Sequence, residues 1–134
     1  MKIIFVINDL EFLFSHRIDI CIRCIGLGYR VHVIGPYKAE LAEQLKKLGI
    51  VFHHVNFSRG GKNPFIEFSS MVGLYKIFKK TKPDMVHLIT IKPYLYGGIV
   101  AKLLDIESLV ASVAGLGIVF SSNSIKSNLY DFIF

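Results

Sequence analysis

Apolar positions along this chain change their period repeatedly, and each change marks an element. The continuous apolar run at residues 2–7 predicts a strand buried on both faces. In residues 15–27, Ile18, Cys21, Ile22 and Ile25 recur at helical spacing, with Ser15 as the expected N-cap and Gly26 and Gly28 as stop signals. Residues 29–35 carry Val31, Val33 and Ile34 and predict a second strand. Residues 37–48 place Leu41, Leu45 and Leu48 on one helical face, with Gly49 just past the end. A third strand is expected over residues 50–57, followed by the polar loop Ser58-Arg59-Gly60-Gly61-Lys62-Asn63. Pro64 then opens a longer helix to residue 80, with Phe65, Phe68, Val72 and Tyr75 as its apolar face. A fourth strand spans residues 85–89, a helix residues 93–104, and a fifth strand residues 108–113; residues 124–134 start another helix. Gly97 and Gly98 inside the 93–104 helix are expected to allow close approach to a neighbour.

Five alternations of strand and helix imply an α/β fold: a Rossmann-like three-layer α/β/α domain around a parallel sheet of at least five strands, with right-handed crossovers. The expected order is 3-2-1-4-5, which puts the topological switch point between strands one and four. Ligands bind there, at the carboxyl edge. Each strand concerned ends in a polar or glycine-bearing break: Asn8-Asp9, then Thr90-Ile91-Lys92-Pro93, then Ala114-Gly115-Leu116-Gly117. These three loops define the expected crevice.

A chain of 134 residues, 52% hydrophobic, suits one domain with a substantial core. The start is too briefly apolar for a signal peptide, and no run reaches the ~20 residues of a membrane span, so a cytoplasmic protein is expected. The apolar tail Leu129-Tyr130-Asp131-Phe132-Ile133-Phe134 suggests one domain of a longer protein, because such a face normally packs on something further along.

Sixteen basic against ten acidic residues give a net charge of +6. Lys76, Lys79, Lys80 and Lys82 cluster at a helix end, where the helix dipole favours cations. The alternative is attraction to an anionic surface, and no nucleic-acid motif accompanies the cluster. Cys21 and Cys24 have neither a second ligand pair nor a helix-start position, so they are expected to be packed thiols.

The standard phosphate loops are missing: Asn8-Asp9-Leu10-Glu11-Phe12 follows the first strand, which argues against a dinucleotide-binding dehydrogenase and a P-loop NTPase. Gly115-Leu116-Gly117 fits either a phosphate cradle or a tight turn. His16 and Arg17, at the expected start of the first helix, could meet an anion at its amides or simply face solvent. His87 lies within a strand expected to be buried, where hydrogen bonding in the core competes with a role at the nearby edge. Arg59 and Lys62 could meet phosphate or water. His53 and His54 lack carboxylate or thiol partners at metal spacing, so no metal or other cofactor is expected. No nucleophile set and no paired general acid and base are recognisable.

Taken together, Asn8-Asp9, Phe12, Ser15-His16-Arg17, Gly28-Tyr29-Arg30-Val31-His32-Val33, Lys82-Pro83-Asp84-Met85-Val86-His87, Thr90-Ile91-Lys92-Pro93, Tyr96-Gly97-Gly98 and Gly115-Leu116-Gly117 resemble the opening of family 4 retaining glycosyltransferases. The resemblance runs along essentially the whole chain. It implies the N-terminal, acceptor-side half of a GT-B fold, with the C-terminal donor-binding domain absent from residues 1–134. The implied activity is transfer of a sugar from a nucleotide-sugar donor to a polyprenyl-diphosphate-linked glycan, as in capsule, O-antigen or glycoprotein glycan synthesis. Catalysis would need the donor half, in cis or in trans. The resemblance also implies acceptor-binding positions at Asn8, Ser15, His16, Arg17, Arg59, His87, Thr90 and Lys92, with Lys92 facing a diphosphate and Gly115, Leu116 and Gly117 close to the donor phosphates. The family's Val-His-x-His pattern is broken by Ile89. A lipid-linked acceptor would bring the protein to the inner membrane face, through the lysine cluster and insertion of Phe12-Leu13-Phe14. The alternatives are a non-catalytic lipid- or partner-binding domain and a sugar-nucleotide epimerase fragment.

Overall fold

The computed structural model describes residues 1–57 and 63–112. The elements are β1 (Lys2–Val6), α1 (Leu10–His16), α2 (Ile18–Gly26), β2 (Arg30–Gly35), α3 (Ala39–Lys47), β3 (Val51–His54), α4 (Pro64–Thr81), β4 (Met85–Ile89), α5 (Ile91–Leu103) and β5 (Leu109–Ser112). The strands form one sheet in the order β3-β2-β1-β4-β5, and every neighbouring pair is parallel. This is the expected Rossmann-like topology. Arg59 and Gly115-Leu116-Gly117 lie outside the described residues, as do Lys62 and residues 124–134, where a helix is expected.

The alternation of side chains along the strands divides the core in two. Ile3, Phe5, Ile7, Val31 and Val33 pack with Leu10, Leu13, Cys21 and Leu45 on the α1–α3 face. Ile4, Val6, Ile34, Val86 and Leu88 pack with Leu74, Phe78, Val100 and Ala101 on the α4–α5 face. Gly28 and Gly49 take φ of 86° and 84° after α2 and α3, a conformation that costs a residue with a Cβ.

Several local expectations need correction. The first helix is two. Asp9 caps α1 by accepting from the Glu11 N–H at 2.9 Å, so the helix starts ahead of Ser15, which falls in its last turn. The chain then breaks at Arg17 (φ −129°, ψ −6°) before α2. β3 covers only residues 51–54 of the expected 50–57. α5 starts at Ile91, two residues ahead of Pro93, because proline is tolerated anywhere in the first turn. In α4 the buried positions are Ser70, Leu74, Phe78 and Thr81, not the expected stripe of Phe65, Phe68, Val72 and Tyr75. Ser70 tolerates burial because its hydroxyl donates to Ile66 O at 2.9 Å and reaches the Asn56 carbonyl. Of Phe12-Leu13-Phe14, expected to insert into a membrane, Leu13 is fully buried, while Phe12 and Phe14 are half-buried against the same core.

Both cysteines are free. Burial pushes the Cys21 thiol up to about 12 and raises that of Cys24, so both stay protonated and unreactive. Two histidines on adjacent strands escaped the sequence reading as a pair: His32 Nδ1 and His53 Nε2 share a 2.9 Å hydrogen bond, with rings nearly parallel at 5.2 Å. Burial lowers the pKa of both. The charges of Lys2 and Arg30 add to this for His32, and those of His32 and Lys80 for His53. His87 is lowered too, by burial and then by Arg17. All three bind protons less readily folded than unfolded. Their contribution is therefore complete above the ordinary value of 6.5 and is lost as pH falls through the lower folded values. The expected result is a urea midpoint that drops between pH 7.5 and pH 5; an unchanged midpoint would refute it.

Candidate active site

β1 and β4 are neighbours, but the chain leaves them on opposite sides of the sheet, which opens a crevice at their carboxyl ends. The loops from the two strands meet there. Thr90 Oγ1 donates to Asn8 Oδ1 at 2.9 Å, across 82 positions of sequence. Thr90 also donates its backbone N–H to Ser112 O at 3.0 Å, tying in the end of β5. The crevice floor is thus built from residues at, or just past, the carboxyl ends of three adjacent strands.

Thr90 has φ 74° and ψ 171°, a region that glycine alone occupies without strain. It is the N-cap residue of α5 but makes no side-chain capping bond. Its hydroxyl is spent on Asn8 instead of on the helix. Such an outlier persists only where surrounding contacts over-determine it, and it costs about 1–3 kcal/mol. Thr90→Gly removes the strain and also the bond to Asn8, a neutral hydrogen bond worth about 1 kcal/mol. The thermal midpoint is therefore expected to hold or rise, while the Asn8 side chain loses its fixed position. A clear fall in the midpoint would show that Thr90 is there for stability.

Lys92 lies in the first turn of α5, which has no acidic residue, and its Nζ is 3.5 Å from Glu67 Oε1 on α4. Tyr96, one turn along, hydrogen-bonds the same carboxylate; burial first, and then that bond and charge, push its phenol up to about 12. Glu67 therefore holds two α5 side chains at the mouth of the crevice. Nothing in the sequence spacing of Glu67 signalled this, since its partners are 25 and 29 positions away.

On the other sheet face, His87 Nε2 is 2.8 Å from Ser112 Oγ, and its ring lies 5.2 Å from that of Phe5. Arg17 is close enough to bias its titration. Among the described residues, Arg17 Nε is a buried polar atom with no hydrogen-bond partner; Nη1 donates to His16 O at 3.3 Å. Arg17 thus brings a cation beside His87. Its neighbours do not stand where expected. His16 ends α1 rather than opening a helix, so no N-terminal amides serve it, and the ring stacks on Phe12 at 4.4 Å. Ser15 Oγ is 2.6 Å from His16 Nδ1, and both residues are exposed. Glu11 is drawn into an ion pair with Lys38. Among the described residues there is no cluster of three or more His, Cys, Asp or Glu able to hold a metal.

Residues 2–134 match the glycosyl transferase 4-like family. The chain belongs to that family. A curated relative, the N,N'-diacetylbacillosaminyl-diphospho-undecaprenol α-1,3-N-acetylgalactosaminyltransferase of Campylobacter jejuni, is 31% identical over 103 residues, which are 77% of this chain and 27% of that protein. The chain thus spans about a quarter of its relative's length. A glycosyltransferase from Rickettsia africae superposes with a TM-score of 0.63 at 19% identity, over 91% of this chain and 34% of that one. The UDP-GlcNAc 2-epimerase of Neisseria meningitidis, solved with UDP-GlcNAc, gives 0.62 at 15% identity, over 96% and 39%. At these identities the two structures establish the fold, a Rossmann-like layer of the GT-B kind.

Proposed function

We propose that this chain is the acceptor-side part of a retaining glycosyltransferase that moves a sugar from a nucleotide donor to a lipid-linked, diphosphate-bearing glycan. The observation that carries the reading is the Asn8–Thr90 bond, made at the switch point with Lys92 two residues on, in the first turn of α5, in a chain of this family. The Campylobacter relative, by its name, acts on a diphospho-undecaprenol glycan. Among the described residues, Lys92 in the first turn of α5 and Arg17 near His87 bring cations to the two faces of the sheet, and a diphosphate needs such partners. The absence of any nucleophile motif agrees with a reaction in which the protein positions substrates and stabilises the departing nucleoside diphosphate.

Because the chain corresponds to 27% of that relative, a donor-binding domain supplied in cis or in trans belongs to the proposal. The working location is the cytoplasmic face of a membrane, held peripherally; no helix among the described residues is long and apolar enough to cross one. The likeness to the epimerases supports a second reading, chemistry on the sugar nucleotide alone. Product analysis separates the two. With a donor-binding half and a polyprenyl-diphosphate glycan supplied, a radiolabelled sugar should appear on the lipid. Label found only in a free epimer would sink the transfer reading.

A further inference from the structure

A second cleft opens on the α4–α5 face of the sheet, between the end of β3 and the start of α4, and shares no residue with the Asn8–Thr90 crevice. α4 comes close to the strand end at Gly73, where an added Cβ would lie 3.2 Å from Val55 Cγ2. One and two turns nearer its start, the helix leaves a cavity of about 660 Å³ beside His54, Asn56, Phe57, Phe65 and Ser69. A cavity of that size suits a small-molecule ligand.

Its lining is neutral, polar and aromatic. Val55 and Phe57 are buried and form the base. Ser70 ties the two walls together, because its hydroxyl reaches from α4 to the Asn56 carbonyl. Asn56 Oδ1 accepts from His54 Nε2 at 3.1 Å, which fixes the amide and leaves its two N–H donors for a ligand. Ser69 adds an exposed hydroxyl. The Phe65 ring, 84% exposed, is more exposed than any other large apolar side chain described. None of the lining residues is Lys, Arg, Asp or Glu, in a chain of net charge +6.

This set of groups selects its ligand. A diphosphate finds no cation here. A polyprenyl chain would leave the Asn56 donors and the Ser69 hydroxyl unpaired. A pyranose satisfies both kinds of group, with C–H bonds for the face of an aromatic ring and hydroxyls for an amide, an imidazole and a serine. The place is suitable too. β3 and β1 are two strands apart, about 10 Å at the usual spacing, so the cleft and the Asn8 loop stand along one carboxyl edge within reach of a single oligosaccharide. Glu67, next to Ile66 in the cleft wall, contacts Lys92.

We propose that this cleft is a saccharide subsite, in which Phe65 packs on the C–H face of an uncharged pyranose and Asn56, His54 and Ser69 bond its hydroxyls. The occupant is a sugar of the acceptor glycan other than the one that reacts, so the cleft selects the glycan and takes no part in the chemistry. Only that assignment to the acceptor rests on the proposed function; binding of a neutral sugar does not.

The test is an NMR titration of the chain's amide resonances with N,N'-diacetylchitobiose, a neutral disaccharide, and separately with farnesyl diphosphate. The disaccharide should shift the amides of residues 54–56 and 65–70, with a Kd on the order of millimolar. Phe65→Ala should weaken binding about tenfold, through loss of the stacked ring, and Asn56→Ala about fivefold, through loss of a neutral hydrogen bond. Phe68→Ala removes an exposed ring on the same helix that does not line the cleft, and should bind like wild type. All three positions are exposed, so circular dichroism should show folded variants. The proposal is overturned by unshifted amides in the cleft, by equal weakening from Phe68→Ala and Phe65→Ala, or by a response there to farnesyl diphosphate alone. Sugar binding is read without transfer. A chain that binds the disaccharide yet supports no transfer would refute the enzymatic reading and leave the subsite standing. A protein completed by its donor-binding half, in which Phe65→Ala leaves the acceptor KM unchanged, would overturn the assignment to the acceptor.

Discussion

Gly97→Val is expected to cost about 3 kcal/mol of stability, while Gly98→Ala, one residue on, should add about 0.5–1 kcal/mol. The two glycines look equivalent in sequence. In the fold, a Cβ on Gly97 would sit 2.4 Å from Leu88 Cδ2 and 3.3 Å from Cδ1, whereas one on Gly98 meets nothing within 4 Å. A leucine end can often swing aside. Leu88 cannot do so cheaply, because it is fully buried among the α4–α5 side of the core. Valine adds two more atoms at that point and recovers little helix propensity. Alanine at 97 falls between, since its gain in propensity, about 1 kcal/mol, offsets part of the clash. Urea titrations of the three variants check the order Gly98→Ala above wild type, then Gly97→Ala, then Gly97→Val. A Gly97→Val chain as stable as wild type would mean that α5 does not pack this closely on β4.

That close approach matters beyond stability. The Gly97–Leu88 contact sets how near α5 lies to β4, and so where Thr90 and Lys92 stand over the crevice. A smaller lesion, Gly97→Ala, should therefore disturb the site as well as the core.

The strand pattern was the most legible part of the fold. Runs such as Ile3-Ile4-Phe5-Val6 are apolar on both faces, which a doubly covered parallel strand requires, and the switch point follows from the strand order. The helices were less legible, for separable reasons. In residues 10–26, apolar periodicity runs on through a break that the backbone makes at Arg17, and the true cap, Asp9, sits six residues before the serine that looked like one. In α4, both sides of the helix offer apolar residues, so periodicity alone could not choose between them. The choice was made by tertiary packing, through Leu74, Phe78 and a serine whose hydroxyl is satisfied within its own helix.

Residue type at a strand end was enough to bring Asn8, Thr90 and Lys92 to one edge of the sheet, where Asn8 and Thr90 share a hydrogen bond and Lys92 follows in the first turn of α5. It was not sufficient for Glu67 or the His32–His53 pair, whose partners come from other elements. Ser15 and His16, which the resemblance places at the acceptor, are exposed neighbours joined by a hydrogen bond at the end of α1. Arg17 keeps its place, on the other ground that it stands beside His87.

Lys92 offers the largest functional effect. In the protein completed by its donor-binding half, Lys92→Ala is expected to lower kcat/KM for transfer by about 10–100-fold, the loss when one charge-assisted contact to a diphosphate is removed. The same change should cost the fold little. The Lys92–Glu67 pair is single-pronged at 3.5 Å, with 22% and 31% of the two side chains exposed, and such pairs contribute about 0–1 kcal/mol. A structural lysine would behave in the opposite way: Lys92→Ala and Glu67→Gln would then destabilise alike and reduce activity only through unfolding. If Lys92 meets a diphosphate, the two variants diverge. Glu67→Gln removes a competing carboxylate and leaves the cation, so activity should be kept or shifted in KM, while Lys92→Ala loses kcat/KM with an unchanged melting temperature. Lys92→Arg keeps the charge but not the reach, and should fall between. Equal and small effects from all three on transfer would show that the crevice holds its diphosphate elsewhere, and would move the assignment to Arg17 on the opposite face.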